Sequence, residues 1–264
     1  MERERRSVFG EAAEQYAAAR ADYPQALIDD IIAYAGPLTH VLEVGAGTGK
    51  ATLAFASRGI ALTCIEPDAR MADLLVRACA PFPQVSVEVT RFENWTPPVH
   101  YDLLIAAQSW HWIDPERRWD LAYEALAKGG TIALYWNKYI VANEETRLAL
   151  LGLDQHFGIA DKSFTPHDDG VDEFSDEIEV EEGWPAFDLV GDPRFGSLTS
   201  HRYHRDQSYA ASAYMDLLSS TSIYRMLDNE KRSDLFMAVA DVVNGKGGRV
   251  DLHIVTDLFL GRTI

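Results

Sequence analysis

Cysteine is nearly absent: Cys64 and Cys79 are the only two in 264 residues. Two thiols make no disulfide framework, and no Cys-x-x-Cys pair exists for redox or zinc chemistry. One falls in a predicted strand and the other in a predicted helix, so both are expected as buried free thiols. No apolar run approaches the ~20 residues of a membrane span. The charged start Met1-Glu2-Arg3-Glu4-Arg5-Arg6 leads into no apolar signal core. A soluble cytoplasmic protein with no membrane partner is expected. Basic residues are scarce, with 24 Lys and Arg against 41 Asp and Glu and a net charge of -17. Phosphate contacts need clustered cations, so nucleic acid is not an expected partner. There is no G-x-S-x-G elbow, no P-loop lysine followed by Ser or Thr, no internal repeat and no low-complexity linker. His201 and His204 are three apart on an expected strand and face opposite sides. The acidic stretch 168–182 lacks EF-hand spacing and is expected as a solvated loop or cap. No metal is expected.

Against these absences stands one dense motif, Leu42-Glu43-Val44-Gly45-Ala46-Gly47-Thr48-Gly49-Lys50. Residues 41–44 read as a short buried strand, and residues 51–57 as a helix. A strand that turns through glycines into a helix suits a nucleotide-like ligand. Glycine permits a tight turn and close ligand approach, and the free N–H groups of the helix favour a negative group. A dinucleotide fingerprint would place its third glycine three residues after the second, where Lys50 stands. Here the third is Gly49, two residues after.

Strand and helix patterns then alternate. Helices are expected over 7–23 and 25–34, the first broken by Pro24. Strands are expected over 41–44, 61–65, 85–89, 103–107 and 131–136. Helices start at the cap Asp68, running to about Ala78, and at Asp114-Pro115, running to Ala127 and stopping at Gly129-Gly130. Five alternations imply a parallel doubly wound sheet, with ligands at the carboxyl ends of its strands. Glu66, Arg91-Phe92-Glu93, the segment 108–112 and Asn137 all fall at such ends. Beyond Lys138 the alternation lapses. Helices are expected over 144–156, 209–219 and 229–244, and strands over 198–203 and 249–260; the region around Trp184-Pro185 reads as irregular.

The pattern Glu43-x-Gly45-x-Gly47-x-Gly49 resembles motif I of class I S-adenosylmethionine (SAM) dependent methyltransferases, and Ala46 lies inside that turn. Four further segments are similar to the same family. Cys64-Ile65-Glu66-Pro67-Asp68 looks like its acidic loop after strand two. The resemblance implies that Glu66 accepts both ribose hydroxyls and that Met71 packs on the adenine. Thr90-Arg91-Phe92-Glu93 looks like its adenine-edge loop. Arg91 departs from the usual acidic or small residue, so backbone contacts from Phe92 would replace a carboxylate, or Arg91 is a solvated strand end. Ala106-Ala107-Gln108-Ser109-Trp110-His111-Trp112-Ile113-Asp114 resembles the loop after strand four in the type 11 group, which includes trans-aconitate methyltransferase-like proteins. By that likeness Gln108 lies beside the methionine part of SAM, and Trp110, His111 and Asn137 line the substrate side. His111 has two readings: a general base, with Tyr16 or Tyr23 behind it, or an imidazole stacked between two tryptophans to fix the loop. The N-terminal F-x-x-x-A-x-x-Y-x-x-x-R-x-x-Y-P spacing, from Phe9 to Pro24, also matches. It implies a helical lid whose Arg20 pairs with the SAM carboxylate and whose Tyr16 shares that face.

The resulting expectation is an α/β fold: a doubly wound, mostly parallel seven-stranded sheet, Rossmann-like, with an antiparallel C-terminal hairpin and a cap insert. One domain would span 1–264: a helical lid (1–36), a SAM-binding core (37–137), a substrate cap (138–198), and the hairpin with its helices (199–264). The implied cofactor is SAM, and the implied partner is a small-molecule acceptor. The rival readings are an NAD(P)-dependent oxidoreductase, opposed by the Gly49 spacing and by Trp110-His111-Trp112, and a SAM-binding protein without catalysis.

Overall fold

The computed structural model of the chain describes residues 13–159, 165–168 and 191–264, apart from the side chains of Gln15 and Tyr16. Phe9 of the N-terminal pattern, residues 169–182 of the acidic stretch, and Trp184-Pro185 lie outside the described residues. The chain divides into two compact units, one of Met1–Ala21, Lys138–Ser175 and His204–Val255, the other of Asp22–Asn137, Asp176–Tyr203 and Thr256–Ile264.

The second unit is built around β1 (Val41–Val44), whose four residues are all buried. It pairs in parallel with β2 (Leu62–Ile65) on one side and β4 (Tyr101–Ala107) on the other, Val41 facing Leu62 and Leu103. β3 (Val85–Glu88) continues the parallel ladder beyond β2. With β5 (Leu126–Val141), β6 (Phe195–Ala210) and β7 (Arg249–Thr263) the sheet order is β3-β2-β1-β4-β5-β7-β6. The C-terminal strands are antiparallel, so this is the mostly parallel seven-stranded α/β sheet expected from sequence. The order reverses between β1 and β4, which is where doubly wound sheets open a ligand crevice.

The period of two along each strand divides the core of this unit into two layers. Leu42 and Val44 of β1 pack with Ile132, Leu134, Trp110 and Trp119. Val41 packs instead with Ala133 and Tyr135, Leu27, Ile28 and Ile31 of α2 (Gln25–Ala35), and Phe55 of α3 (Lys50–Ala56). α4 (Ala69–Ala78) starts where the sequence places it, because the Asp68 carboxylate accepts the Arg70 N–H at 2.9 Å.

Several boundaries differ from the sequence reading. α5 is Arg118–Ala125, not a helix from Asp114-Pro115. Asp114 is spent on a preceding turn: its carboxylate accepts from Glu116 N at 3.0 Å and its carbonyl from Arg118 N at 2.9 Å. Gly129-Gly130 is not a helix stop. It lies within β5, where the register against β4 shifts between Tyr101 and Leu103. Gly129 has φ +75°, and a Cβ at Gly130 would lie 2.8 Å from Ala127 O and 3.0 Å from Tyr101 O. The pair marks a bulge, a site open to glycine alone because the backbones approach so closely. β6 is also longer than the 198–203 expected.

The first unit gathers α1 (Ala13–Ala19), α6 (Glu144–His156), α7 (Ala211–Ser219), α8 (Ser222–Arg225) and α9 (Asn229–Gly245). Its apolar core includes Leu150, Leu217, Leu235, Val239 and Leu252. A closed polar knot sits inside. His167 Nδ1 meets Asp154 Oδ2 at 2.7 Å, His167 Nε2 meets the Tyr214 hydroxyl at 2.7 Å, and Tyr224 donates to Asp154 Oδ1 at 3.1 Å. Among the described residues no helix is long and apolar enough to cross a membrane.

Candidate functional site

The glycine turn lies at the carboxyl end of β1 and is pinned to the end of β2. Gly45 and Ala46 N–H both donate to the Ile65 carbonyl, at 2.8 and 3.1 Å. All three glycines have positive φ: +72° at Gly45, +59° at Gly47 and +94° at Gly49. Their surroundings differ. A Cβ at Gly45 would collide with Ser109 Cβ and lie 2.9 Å from its hydroxyl, and one at Gly49 would lie 2.7 Å from Leu75 Cδ1. At Gly47 the one neighbour within 4 Å among the described residues is Met71 Cε, at 3.5 Å. Packing therefore demands glycine at positions 45 and 49, while position 47 leaves an open cradle. The Ser109 hydroxyl, at the end of β4, donates to the Val44 carbonyl and closes the turn from the other side.

Glu66 ends β2 and faces that cradle. One carboxylate oxygen accepts Gly47 N–H at 2.8 Å and the other Asp68 N–H at 2.9 Å. Each oxygen carries a second lone-pair direction for a hydroxyl donor. Burial dominates its titration and pushes its pKa up to about 7, against the lowering effect of the two backbone donors. Glu43 lies beneath the turn, 1% exposed. Thr52 donates to its Oε2 at 2.6 Å, and its Oε1 has no hydrogen-bond partner among the described residues. Burial lifts its pKa to about 8, with the nearby Glu66 charge adding to the rise. The buried Thr48 hydroxyl is likewise without a partner among the described residues. Polar groups orphaned this way are costly unless something fills the site.

The remaining expected residues spread around this turn. Met71 and Phe92 are buried, and Pro67 and Arg91 are exposed. Phe92 opens a single turn, Phe92–Asn94, whose neighbouring Glu93 carboxylate accepts Asp114 N–H at 3.0 Å. That bond ties the loop after β3 to the loop after β4, and nothing in the local sequence announces it. Gln108 has φ +57° and donates its N–H to the Tyr135 carbonyl at 2.9 Å. A strained backbone of this kind persists where the surroundings over-determine it.

Trp110, expected on the substrate side, lies among core residues. Its ring is wholly buried, 5.1 Å from Trp119 and 6.5 Å from Phe92. His111 is exposed, and the two tryptophans against it are its sequence neighbour Trp112 and the distant Trp136. Trp112 packs at 4.6 Å, and Trp136 from β5 donates its indole N–H to His111 Nδ1 at 3.3 Å. Asn137 is buried, and its Oδ1 accepts the Thr256 hydroxyl at 2.7 Å. Tyr23 is buried with its ring edge-on to Tyr135 at 4.8 Å.

Arg20 belongs to the first unit. Its Nε donates to the Ser220 hydroxyl at 2.8 Å, its Nη2 reaches Ser220 O and Thr221 Oγ1 at 3.3 Å, and the guanidinium lies 5.7 Å from the centre of the Tyr139 ring. Tyr16 lies on α1, with its side chain outside the described residues. His204 Nδ1 is 2.9 Å from His253 Nε2, and His253 Nδ1 is 2.7 Å from Asp206. Among the described residues, no group of three or more His, Cys, Asp or Glu side chains could hold a metal ion.

The chain is similar to known proteins in both sequence and fold. Residues 41–130 match the methyltransferase domain family. The chain is 30% identical over 215 residues to uncharacterised methyltransferases of Mycobacterium bovis and Mycobacterium tuberculosis, covering 81% of this chain and 76% of theirs. Among solved structures, one from Anaeromyxobacter dehalogenans described as a type II methyltransferase superposes with a TM-score of 0.63 at 20% identity, over 92% of this chain and 97% of that one. A Haemonchus contortus phosphoethanolamine N-methyltransferase, solved with S-adenosylhomocysteine and phosphomonomethylethanolamine, superposes with a TM-score of 0.51 at 12% identity, over 98% of this chain and 58% of that one. The sheet order, the glycine turn at its switch point and the extended sequence likeness together place the chain in the class I methyltransferase family.

Proposed function

We propose that the protein transfers a methyl group from S-adenosylmethionine to a small-molecule acceptor and releases S-adenosylhomocysteine. The observation that carries this reading is the Glu66 carboxylate, held by Gly47 N–H at 2.8 Å and Asp68 N–H at 2.9 Å beside the turn position, Gly47, that the described residues leave open. A buried carboxylate with lone pairs to spare fits a vicinal diol, as a ribose presents. Among the described residues the buried Glu43 Oε1 and Thr48 hydroxyl have no hydrogen-bond partner, and the sealed Glu43 side chain supports the turn from beneath. When bound, the cofactor supplies an electrophilic methyl on a sulfonium.

The chain's own work is then to bind, align and exclude water. Gly45, Ala46 and Gly49 shape the turn, with Glu43 beneath it. Met71, Pro67, Phe92 and Arg91 border the adenine side, and Gln108 the methionine side. His111 and Asn137 stand toward the acceptor.

Calorimetry with S-adenosylhomocysteine and with NADH decides between the nucleotide classes. Binding heat with the first and none with the second is expected. The reverse pattern would overturn the reading in favour of an oxidoreductase.

A further inference from the structure

The loop after β4 is held at both ends by neighbouring segments at the carboxyl edge of the sheet. At its start the Ser109 hydroxyl donates to the Val44 carbonyl, at the root of the glycine turn. At its end the Asp114 N–H donates at 3.0 Å to the Glu93 carboxylate, 21 residues back in the loop after β3. A carboxylate on a backbone N–H makes a charge-assisted bond, stronger than a neutral one. Glu93 is half-buried in the single turn Phe92–Asn94. That turn is anchored in its own right, since the Trp95 indole N–H donates to the Glu88 carboxylate at the end of β3 at 2.8 Å. Arg117 adds a second tie between the loops, Nη2 to the Glu93 carbonyl at 3.2 Å. The Phe92 ring lies 6.5 Å from that of Trp110, which opens the turn Trp110–Trp112. Asp114 spends its other groups on the approach to α5: its carboxylate takes Glu116 N–H and its carbonyl takes Arg118 N–H. A shift of the Phe92 turn is therefore passed to the loop after β4 through both a ring contact and a hydrogen bond.

Resting on the methyl-transfer reading above, we infer that Glu93 is a positioning residue that carries nucleoside binding at the Phe92 turn into the loop after β4, so that the cofactor binds first and sets the loop the methyl acceptor then meets. A ligand shifts a loop only by binding its two arrangements unequally. A base resting against the Phe92 turn favours the arrangement in which Glu93 holds Asp114, and the Ser109 bond keeps the other end of the loop in register with the glycine turn. The coupling is reciprocal, so a methyl acceptor that fits the set loop tightens the nucleoside by the same factor.

Amide hydrogen exchange on the full chain tests this, with and without saturating S-adenosylhomocysteine, in wild type, Glu93→Gln and Glu93→Asp. The first variant keeps an oxygen within reach of Asp114 N–H and drops the charge; the second keeps the charge and falls one methylene short. The reporters are the Trp112 and Ile113 amides, whose own acceptors, Ser109 O and Trp110 O, neither variant touches. The ligand should slow both in wild type by at least about fivefold, the low end of ordinary coupling between sites. Glu93→Gln should keep most of that slowing, and Glu93→Asp should lose it while still binding the ligand. A merely structural role would speed exchange in ligand-free Glu93→Asp and leave the ligand-induced ratio as it is, which overturns the inference. So do wild-type reporters that ignore the bound ligand, and a loss in Glu93→Gln equal to that in Glu93→Asp. Calorimetric heat for S-adenosylhomocysteine on the same samples separates the two levels. Heat in wild type with an unmoved ratio removes the relay alone, whereas absent heat in wild type removes the methyl-transfer reading and the relay with it. Heat abolished in Glu93→Asp alone would make Glu93 part of the binding site and overturn the relay.

Discussion

At the scale of single residues, two carboxylates a few ångströms of backbone apart are given different tasks by what donates to them. Glu43 receives the Thr52 hydroxyl and is sealed in; Glu66 receives two backbone N–H groups and is 5% exposed at the rim of the turn. Glu66 is therefore the one a ligand can reach. Removing it in Glu66→Ala should weaken S-adenosylhomocysteine binding by about 1.5–3 kcal/mol, the scale of hydrogen bonds to a charged group. Glu66→Gln, which keeps one acceptor oxygen, should lose less. Calorimetry on both variants checks this, and equal affinity for wild type and Glu66→Ala would remove Glu66 from the site. The place of Glu66 at the end of β2 was legible in the sequence from its distance to the glycine motif and from the family resemblance of its loop. Ser109, Glu93 and Trp136 were not. Each acts through a hydrogen bond to a segment far away in the chain, and no local pattern encodes such a partner.

At the scale of elements, legibility followed the locality of the signal. α4 begins at Asp68 because the cap bond is made two residues away, and α6 spans Glu144–His156, the bounds read from its pattern. The bulge in β5 was misread because Gly129-Gly130 looks the same whether it stops a helix or admits a neighbouring backbone. Only the shift against β4 distinguishes the two. The three glycines after β1 give the same lesson in a testable form. Gly45→Ala must displace Ser109, whose hydroxyl is bonded to the Val44 carbonyl, so it should destabilise the fold by about 1–3 kcal/mol through overpacking. Gly47→Ala meets only Met71 Cε at 3.5 Å. It should carry about 1–2 kcal/mol of left-handed backbone strain, yet weaken S-adenosylhomocysteine binding sharply by filling the cradle. Adding Ser109→Gly removes the Cβ in the way and should recover part of the Gly45→Ala loss, a non-additivity between touching sites. Thermal unfolding of the set, with calorimetry on Gly47→Ala, reads all three. Additive losses at positions 45 and 109 would show that the collision is not the cause.

At the scale of the whole molecule, charge and burial predict an unusual response to pH. Glu43 and Glu66 are raised by burial to about 8 and about 7, from an ordinary 4.5. The folded chain thus holds more protons than the unfolded one between those limits. Their contribution to stability is full below about 4.5 and is lost as pH rises through 7 and 8. Asp68 and Asp192 run the other way, lowered by hydrogen bonds from Arg70 and Arg194, and their contribution is lost in acid below the ordinary 3.8. The ligand-free protein should therefore be most stable on the mildly acidic side and its Tm should fall from pH 6 to 9. A net charge of -17 alone would also favour acid, since repulsion grows as carboxylates ionise. Salt separates the two causes. Screening lengths shrink from about 10 Å at 0.1 M to about 3 Å at 1 M, so surface repulsion fades while the penalty of ionising a sealed carboxylate persists. The fall in Tm should survive 0.5 M NaCl, and Glu43→Gln, whose amide oxygen still accepts from Thr52, should flatten it. A slope that vanishes in salt and ignores Glu43→Gln would assign the effect to overall charge and leave the carboxylates beneath the glycine turn without a part in it.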